Sequence, residues 1–530
     1  AANGPPRGVL AAGGGGGRVE ALFDAAGRAV ERIAGDGGVW RTDRDPETGW
    51  AMVEVDPLGN ATTYTRDELG FVTRTEFPDG GVATFAYQTA FHALTAATDP
   101  LGRTTTYAYT AEGRLRAVTD PLDHTTTLTW SSAGLLESVT DPLGRAVTSV
   151  YDAYRRLVGT LRGGAPTGTL LYDAAGHAAG VTDPLGRTTT VVNDALGRVT
   201  RTVTPDGGTT TQVYDEAGLL AGVIDPAGTR TSYLYDAAGR LVTEVDAVGT
   251  ALERRTTWTY DAAGRLTRVA DPLNRTTTYA FDGAGRVAAV TDALGNQTRT
   301  AYDAAGRVKT VTDPRGKVTA YEYDAAGRVR VVVAPDGART TTQYDPAGNA
   351  VAVTDPLGKV TTTGYDELGR AVSTTDPLGH TSTVVFDAAG RVEAVVDPRG
   401  NRATYLYDAR DRVSVTVDAA LGRTTAGYDA AGRLATVTDP LNRVTTYLYD
   451  PAGRPEGTVD PLGHRTTVLY DAAGRVEVVI DPLLHRSTTV YDALGRVVAA
   501  VDPLGNRTTA VYDAADQVVV TVDPLGHRTT

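Results

Sequence analysis

The 530-residue chain has no cysteine, a single methionine and only three lysines, Lys309, Lys317 and Lys359. Lack of cysteine excludes disulfides and thiolate metal sites, and leaves the compartment open. Nearly all positive charge is therefore arginine, and the formal net charge is −13. That balance argues against a nucleic-acid partner, which requires a concentrated basic face. The arginines and aspartates recur together and read as a mixed, solvated surface. No apolar run approaches the ~20 residues of a membrane-spanning helix; the longest are short pieces such as Val329–Val333 around one arginine. The opening Ala1-Ala2-Asn3-Gly4-Pro5-Pro6 has neither the basic region nor the apolar core of a signal peptide, and no initiating methionine. The expectation is a processed chain or a portion of a longer one.

What the chain does have is a period. Tyr302, Tyr323, Tyr344, Tyr365, Phe386, Tyr407, Tyr428, Tyr449, Tyr470, Tyr491 and Tyr512 stand at a constant interval, each followed by aspartate. The step continues backwards through Phe281 and Tyr260, lengthens once before Tyr235, then resumes through Tyr214, Asn193, Tyr172, Tyr151, Trp130 and Tyr109. Before that it blurs through Tyr87 and Tyr64 to Phe23-Asp24. The division expected is a Gly/Pro-rich segment at 1–20, irregular repeats at 21–110 and regular 21-residue repeats at 111–530, all one continuous array.

In the unit that starts at Tyr302, two stretches rich in Val, Thr and Tyr are separated by Asp303-Ala304-Ala305-Gly306 and Asp313-Pro314-Arg315-Gly316. The stretches favour strands; the separators favour type I turns, with aspartate opening, proline presetting φ and glycine closing. Variant copies such as Phe77-Pro78-Asp79-Gly80, Thr204-Pro205-Asp206-Gly207 and Arg162-Gly163-Gly164-Ala165 keep turn competence while the carboxylate moves or disappears. The constraint is geometric. The fold expected is all-β: an antiparallel hairpin meander of about two dozen repeats, ~48 strands at ~4.8 Å spacing. A ribbon that long must coil, its successive turns meeting along their margins or face to face. Tyr321 and Tyr323 share a face, so rings copied in register are expected to stack into ladders. Val308 and Val311 differ in parity, which means either apolar surface on both faces or a bulge that resets the phase.

The unit Tyr260-Asp261-Ala262-Ala263-Gly264-Arg265-Leu266, followed by Ala270-Asp271-Pro272-Leu273-Asn274-Arg275-Thr276-Thr277-Thr278-Tyr279, resembles the Rhs/YD-repeat family. Its members include bacterial Rhs proteins, cocoon components of Tc toxins, wall-associated proteins and teneurins. The resemblance covers nearly the whole chain and implies a spiral β-shell around a hollow interior, which in toxins encloses a C-terminal polypeptide. It also implies an extracellular or cell-surface location, in a bacterium. The self-cleaving aspartyl core that ends the repeats of toxin members has no match here. The sequence breaks off mid-repeat at Gly526-His527-Arg528-Thr529-Thr530, so autoproteolysis is carried over to no residue.

Chemistry-bearing residues read as structural. The two aspartates of each repeat lie ~20 Å apart, and copies in neighbouring repeats ~9.6 Å apart. Calcium needs six to eight oxygens gathered closely, so turn capping is the better reading. His124, His380, His464, His485 and His527 fall in or beside the slot after the Asp-Pro turn; His177 replaces the arginine of Ala-Ala-Gly-Arg, and His92 sits in the irregular part. None has metal-ligand spacing with another, although His464 and His485 could be neighbours on a rim. The Gly13–Gly17 run reads as a flexible loop. Tyrosine ladders could stack sugars, with cross-strand pairing the plainer role. No catalytic residue, cofactor site or metal site is assigned. Two functions remain. One is a non-catalytic β-shell or scaffold, secreted or on the cell surface, with an extracellular fibre as its extended form and self-association or neighbouring repeats as its contacts. The alternative is the encapsulating cocoon of a toxin, with an enclosed polypeptide cargo.

Overall fold

The computed structural model describes residues 7–11, 19–514 and 516–530. The Gly13–Gly17 run and most of segment 1–20 lie outside the described residues. The described residues form 50 strands and no helix. Each strand pairs antiparallel with the strands before and after it in sequence, as Gln297–Tyr302, Val308–Thr312, Val318–Tyr323 and Val329–Val333 do in succession. The result is one sheet with two strands per repeat.

Both separators make the same turn, one residue tighter than a plain four-residue connection. In the Asp303 turn the Gly306 amide donates to the Asp303 carbonyl (3.0 Å), and the Asp303 amide to the Arg307 carbonyl (2.8 Å). The Asp313 turn repeats this, with Gly316 donating to Asp313 and Asp313 to Lys317, both at 2.9 Å. These are three-residue loops closed by a left-handed residue, a type I turn with a G1 bulge. Glycine belongs there because φ is +84° at Gly306. Leu421 and Leu484 occupy the same position at φ 67° and 66°, a conformation unfavourable for a residue with a Cβ.

A second irregularity settles the phase of the shorter strand. Tyr302 pairs with Val308 but Ala301 with Thr310, so the register slips by one residue at every Tyr-Asp end. The slip puts Val308 and Val311 on the face that carries Tyr302. The bulge is therefore what reconciles their parity, rather than apolar surface on both faces.

The sheet is a single layer. Among the described residues each strand packs only against its sequence neighbours, no large side chain is fully buried, and the buried apolar set is small residues such as Ala21, Ala394, Ala499 and Val331. The accessible surface is 29413 Å² for 55.5 kDa. A compact monomer of this mass exposes ~18,000 Å². A wall wet on both sides accounts for the excess.

The ribbon returns on itself edge to edge. Arg103 reaches the Asp366 carbonyl and Arg187 the Asp450 carbonyl, each 263 residues further on, while Arg145 pairs with Asp411, 266 residues away. A nearly constant offset between rims describes a helical coil of about 25 strands per circuit, ~120 Å around and ~38 Å across at ~4.8 Å per strand. The described chain makes about two circuits. One rim holds the Asp-Pro-x-Gly turns and the other the Tyr-Asp turns; the first rim of the first coil meets the second rim of the second.

Candidate functional site

Each Tyr-Asp turn is a small polar machine built from its own sequence. Asp303 Oδ1 accepts from the Ala305 amide (3.0 Å) and the Arg307 amide (2.9 Å), and its Oδ2 from Arg307 Nε (2.8 Å). The carboxylate thus caps the turn and holds the arginine four residues on. The Arg307 guanidinium lies over the Tyr323 ring of the next repeat, 4.3 Å from its centroid. The Tyr323 hydroxyl donates to the Val308 carbonyl at 2.7 Å, beside the bulge. Asp324 then begins the next cycle, with Arg328 over Tyr344 at 4.7 Å. The rim is a relay of aspartate, arginine and tyrosine, not of ring on ring. The expected ladder of stacked tyrosines is absent among the described residues because equivalent rings are two strand spacings apart, and arginine fills the gap.

Polar replacements at the tyrosine slot keep the donor, which Phe281 and Phe386 give up. Trp130 Nε1 bonds the Leu115 carbonyl (2.8 Å), Asn193 Nδ2 the Ala178 carbonyl (2.8 Å), and Arg66 Nε the Ala51 carbonyl (3.1 Å). The carbonyl freed by the bulge is thereby satisfied in these three copies although their sequence has drifted.

Several turn carboxyls are lowered by the groups they cap. The Arg265 amide holds the Asp261 carboxyl below its usual value against a cost of burial, and the Arg198 side chain, then its amide, does the same for Asp194. Tyr323 and Tyr407 are pushed up, chiefly by burial. The histidines sit at these same turns: His124, His177, His380, His464, His485 and His527 each contact the aspartate four residues before. His464 and His485 each engage their own turn, and His92 stacks on Phe71 at 5.2 Å. Among the described residues no three potential ligands converge on a metal position.

Of the two contacts expected between coils, along the margins or face to face, the structure has the first: the two rims interdigitate in a seam whose pairings sequence reasoning did not name. Asp79 pairs with Arg328 (3.1 Å), and Gly81 beside it abuts the Pro346 carbonyl of the following Tyr-Asp turn. Asp206 pairs with Arg454 and Asp36 with Arg286, both at 2.9 Å. Asp411 collects three guanidiniums, those of Arg145, Arg162 and Arg391. Asp516 joins Arg254 to Arg496. A cleft of about 860 Å³ opens along this seam between the Asp99 and Asp120 turns on one side and the Asp366 turn on the other. The only sequence signal was the substitutions that look anomalous in a single repeat: the displaced aspartates of Asp79 and Asp206, and aspartate in place of glycine at 411 and 516.

Comparison with known proteins agrees with this geometry. The family description RHS Repeat matches residues 89–125, 172–209, 194–230, 214–251, 386–424, 428–465 and 491–528. Teneurin YD-shell matches residues 247–382. The chain belongs to the Rhs/YD-repeat family. No curated protein matches this YD-repeat chain. Among solved structures it is similar to TcdB2-TccC3-Cdc42, with a TM-score of 0.75 and 14% identity over 97% of this chain and 37% of that one. It is equally similar to TcdB2-TccC3, with a TM-score of 0.75 and 15% identity over 97% of this chain and 35% of that one. The YD-repeat chain thus spans little more than a third of those chains, and at this identity the likeness is one of fold.

Proposed function

We propose that this YD-repeat protein is a wall: a non-catalytic scaffold, secreted or held at a bacterial cell surface, whose work is mechanical. The observation that carries the reading is the thin, unfilled sheet, which exposes 29413 Å². A domain that binds a small molecule in a cleft concentrates its burial in one core. Here the stabilising contacts are spread evenly along rims, so that each repeat depends on its neighbours. The polar groups recurring at those rims are spent on capping turns and stapling coils. Electron microscopy of the purified chain tests this. A hollow coil ~38 Å wide is expected; filled, compact lobes would refute it.

The cocoon is the second reading. What favours it is the extent of the likeness to TcdB2-TccC3, over 97% of this chain. Its partner would be an enclosed polypeptide. A passenger fused after Thr530 is expected to resist protease in an intact coil and to become sensitive once the coils are opened by acid. A passenger cleaved at the same rate in both states would leave the scaffold alone.

A further inference from the structure

A repeating edge that meets another repeating edge has an alignment problem. Closing a circuit one 21-residue repeat earlier or later shifts the rims by ~9.6 Å and sets each turn against another of nearly the same sequence. The bond from Arg103 to the Asp366 carbonyl recurs from Arg187 to Asp450, so by itself it accepts any whole-repeat shift. Periodic edges of this kind specify their register weakly. Two places break the repetition, and each does so on both sides of the seam. Among the Tyr-Asp turns from Asp282 onward, glycine closes every one except those that end in Asp411 and Asp516. Both aspartates sit at φ 64°, a left-handed conformation that a Cβ makes costly. Across the seam from Asp411 is Arg162, which opens the one turn of the array that begins with arginine. Across from Asp516 is Arg254, at the close of the lengthened interval between Tyr235 and Tyr260.

We propose that Asp411 and Asp516 are alignment keys, which select one register of the two coils from the set that the repeating contacts accept. A shift by one repeat reverses the interaction at Asp411. It removes Arg162 and brings up Asp141 or Asp183, the opening aspartates of the turns on either side. In one of those directions it also replaces Arg254 by Thr229, which fills the matching slot after Asp225. The seam is half-buried there, with Asp411 20% and Arg254 15% exposed, so an aspartate facing like charge or no charge penalises the wrong alignments. This accounts for the strained backbone: glycine serves the turn better but carries no sign. A one-repeat shift also adds or removes two strands per circuit and changes the diameter by ~3 Å. The keys therefore set the bore of the hollow, for a scaffold and for a cocoon alike.

Because the chain has no cysteine, a disulfide can report the alignment. A Cβ at Gly163 would lie 2.9 Å from that of Ala409, which a small shift brings into disulfide range. Full-length chain with Gly163→Cys and Ala409→Cys reads the observed register. Gly163→Cys with Ala388→Cys or with Ala430→Cys reads the registers one repeat to either side, at the same local strain. Each variant is refolded from denaturant and then oxidised. With the keys present, only the link between positions 163 and 409 should form in quantity. With Asp411→Gly and Asp516→Gly added, the links to positions 388 and 430 should rise about tenfold. Asp206→Ala, which removes the pair with Arg454 but neither key, should leave the pattern unchanged. Links that ignore the loss of both keys would overturn the proposal, and so would equal scrambling by Asp206→Ala. The two glycines restore the residue of the neighbouring turns, so β circular dichroism should persist; its collapse would mean that the hairpins themselves need these aspartates, and would overturn alignment as their role.

Discussion

The first coil, up to Leu273, and the second, from Leu294 onward, are written in the same repeat, yet their rims live in different solvents. Leucine in the Asp-Pro-x-Gly slot is 40–47% exposed at Leu58, Leu101, Leu143, Leu185 and Leu273, and 71–87% exposed at Leu294, Leu357, Leu378, Leu441, Leu462, Leu504 and Leu525. Nothing local separates Asp141-Pro142-Leu143-Gly144 from Asp460-Pro461-Leu462-Gly463; the turns and their caps are the same. Burial at the rim is a property of the coil. In a solenoid-like array each unit supplies half a contact, and its position decides whether the other half arrives.

Acid should erase the comparison altogether, and this is the largest effect expected. The Thr204 hydroxyl holds Asp206 below its usual value against the cost of burial; in Asp516 burial opposes ionisation, but Arg254 and Arg496 outweigh it. A carboxyl lowered on folding stabilises the fold above its unfolded value near 3.8, and that contribution is lost as pH falls through the lower folded value. Since carboxyls lowered in this way recur at other turns, among them Asp99, Asp141, Asp366 and Asp387, the loss compounds. Small-angle scattering against pH should show the coils separating below about pH 4, before β circular dichroism disappears. Dimensions unchanged down to pH 2 would deny the staples any role.

A single staple comes next. Asp411 sits at φ 64°, where glycine is the easier residue, so Asp411→Gly relieves backbone strain while removing the carboxylate shared by Arg145, Arg162 and Arg391. Three half-buried guanidiniums left without it should cost ~2–3 kcal/mol, against a relief of ~1 kcal/mol. Hydrogen exchange should speed up on both sides of the seam. Slower exchange would mean that strain matters more than the staple.

Leucine to lysine makes the comparison directly. In dilute monomer, Leu143→Lys should destabilise by ~1–2 kcal/mol, since it trades a half-covered apolar contact for a charge in the seam. Leu462→Lys, facing water, should fall within ~0.5 kcal/mol of the unmodified chain. Equal midpoints in denaturant for the two variants would show that the seam contributes nothing at these leucines.

The fold was legible because its determinants are local and repeated. Turn chemistry at Asp313-Pro314-Arg315-Gly316 and strand propensity in Val318–Tyr323 fix the meander without reference to anything distant. Capping by Asp303 was equally legible, since partner and capped amides lie within four residues. Contact along the margins was one of two alternatives left open, and its pairings were not legible, because pairs such as Arg103 with Asp366 depend on the curvature of the ribbon, and curvature sums small twists that no one repeat declares. The arginine between tyrosines was missed for a nearer reason. Counting faces puts Tyr302 and Tyr323 in line, but the two-strand gap between them has to be filled, and the only side chain long and flat enough stands at the end of the Asp-Ala-Ala-Gly turn.

The smallest effect is expected where the first coil has drifted from the rim relay. His177 stands where arginine is usual and Asn193 where tyrosine is; their turn keeps the Asp173 cap and the Asn193 bond to the Ala178 carbonyl but has neither guanidinium nor tyrosine ring. His177→Arg alone gives a guanidinium no ring to cover, and Asn193→Tyr alone gives a ring no guanidinium; each should change stability by a few tenths of a kcal/mol. Together they rebuild the geometry of Arg198 over Tyr214, 4.5 Å from the centroid, two strands away. The pair should then show a favourable coupling of ~0.5–1 kcal/mol in a double-mutant cycle, read from local hydrogen exchange in the strands Ala178–Thr182 and Thr188–Asn193. That coupling should be independent of the seam, because this turn lies on the uncovered rim of the first coil. Strict additivity would mean that the stacked arginine follows from the spacing of the strands and adds nothing to their stability.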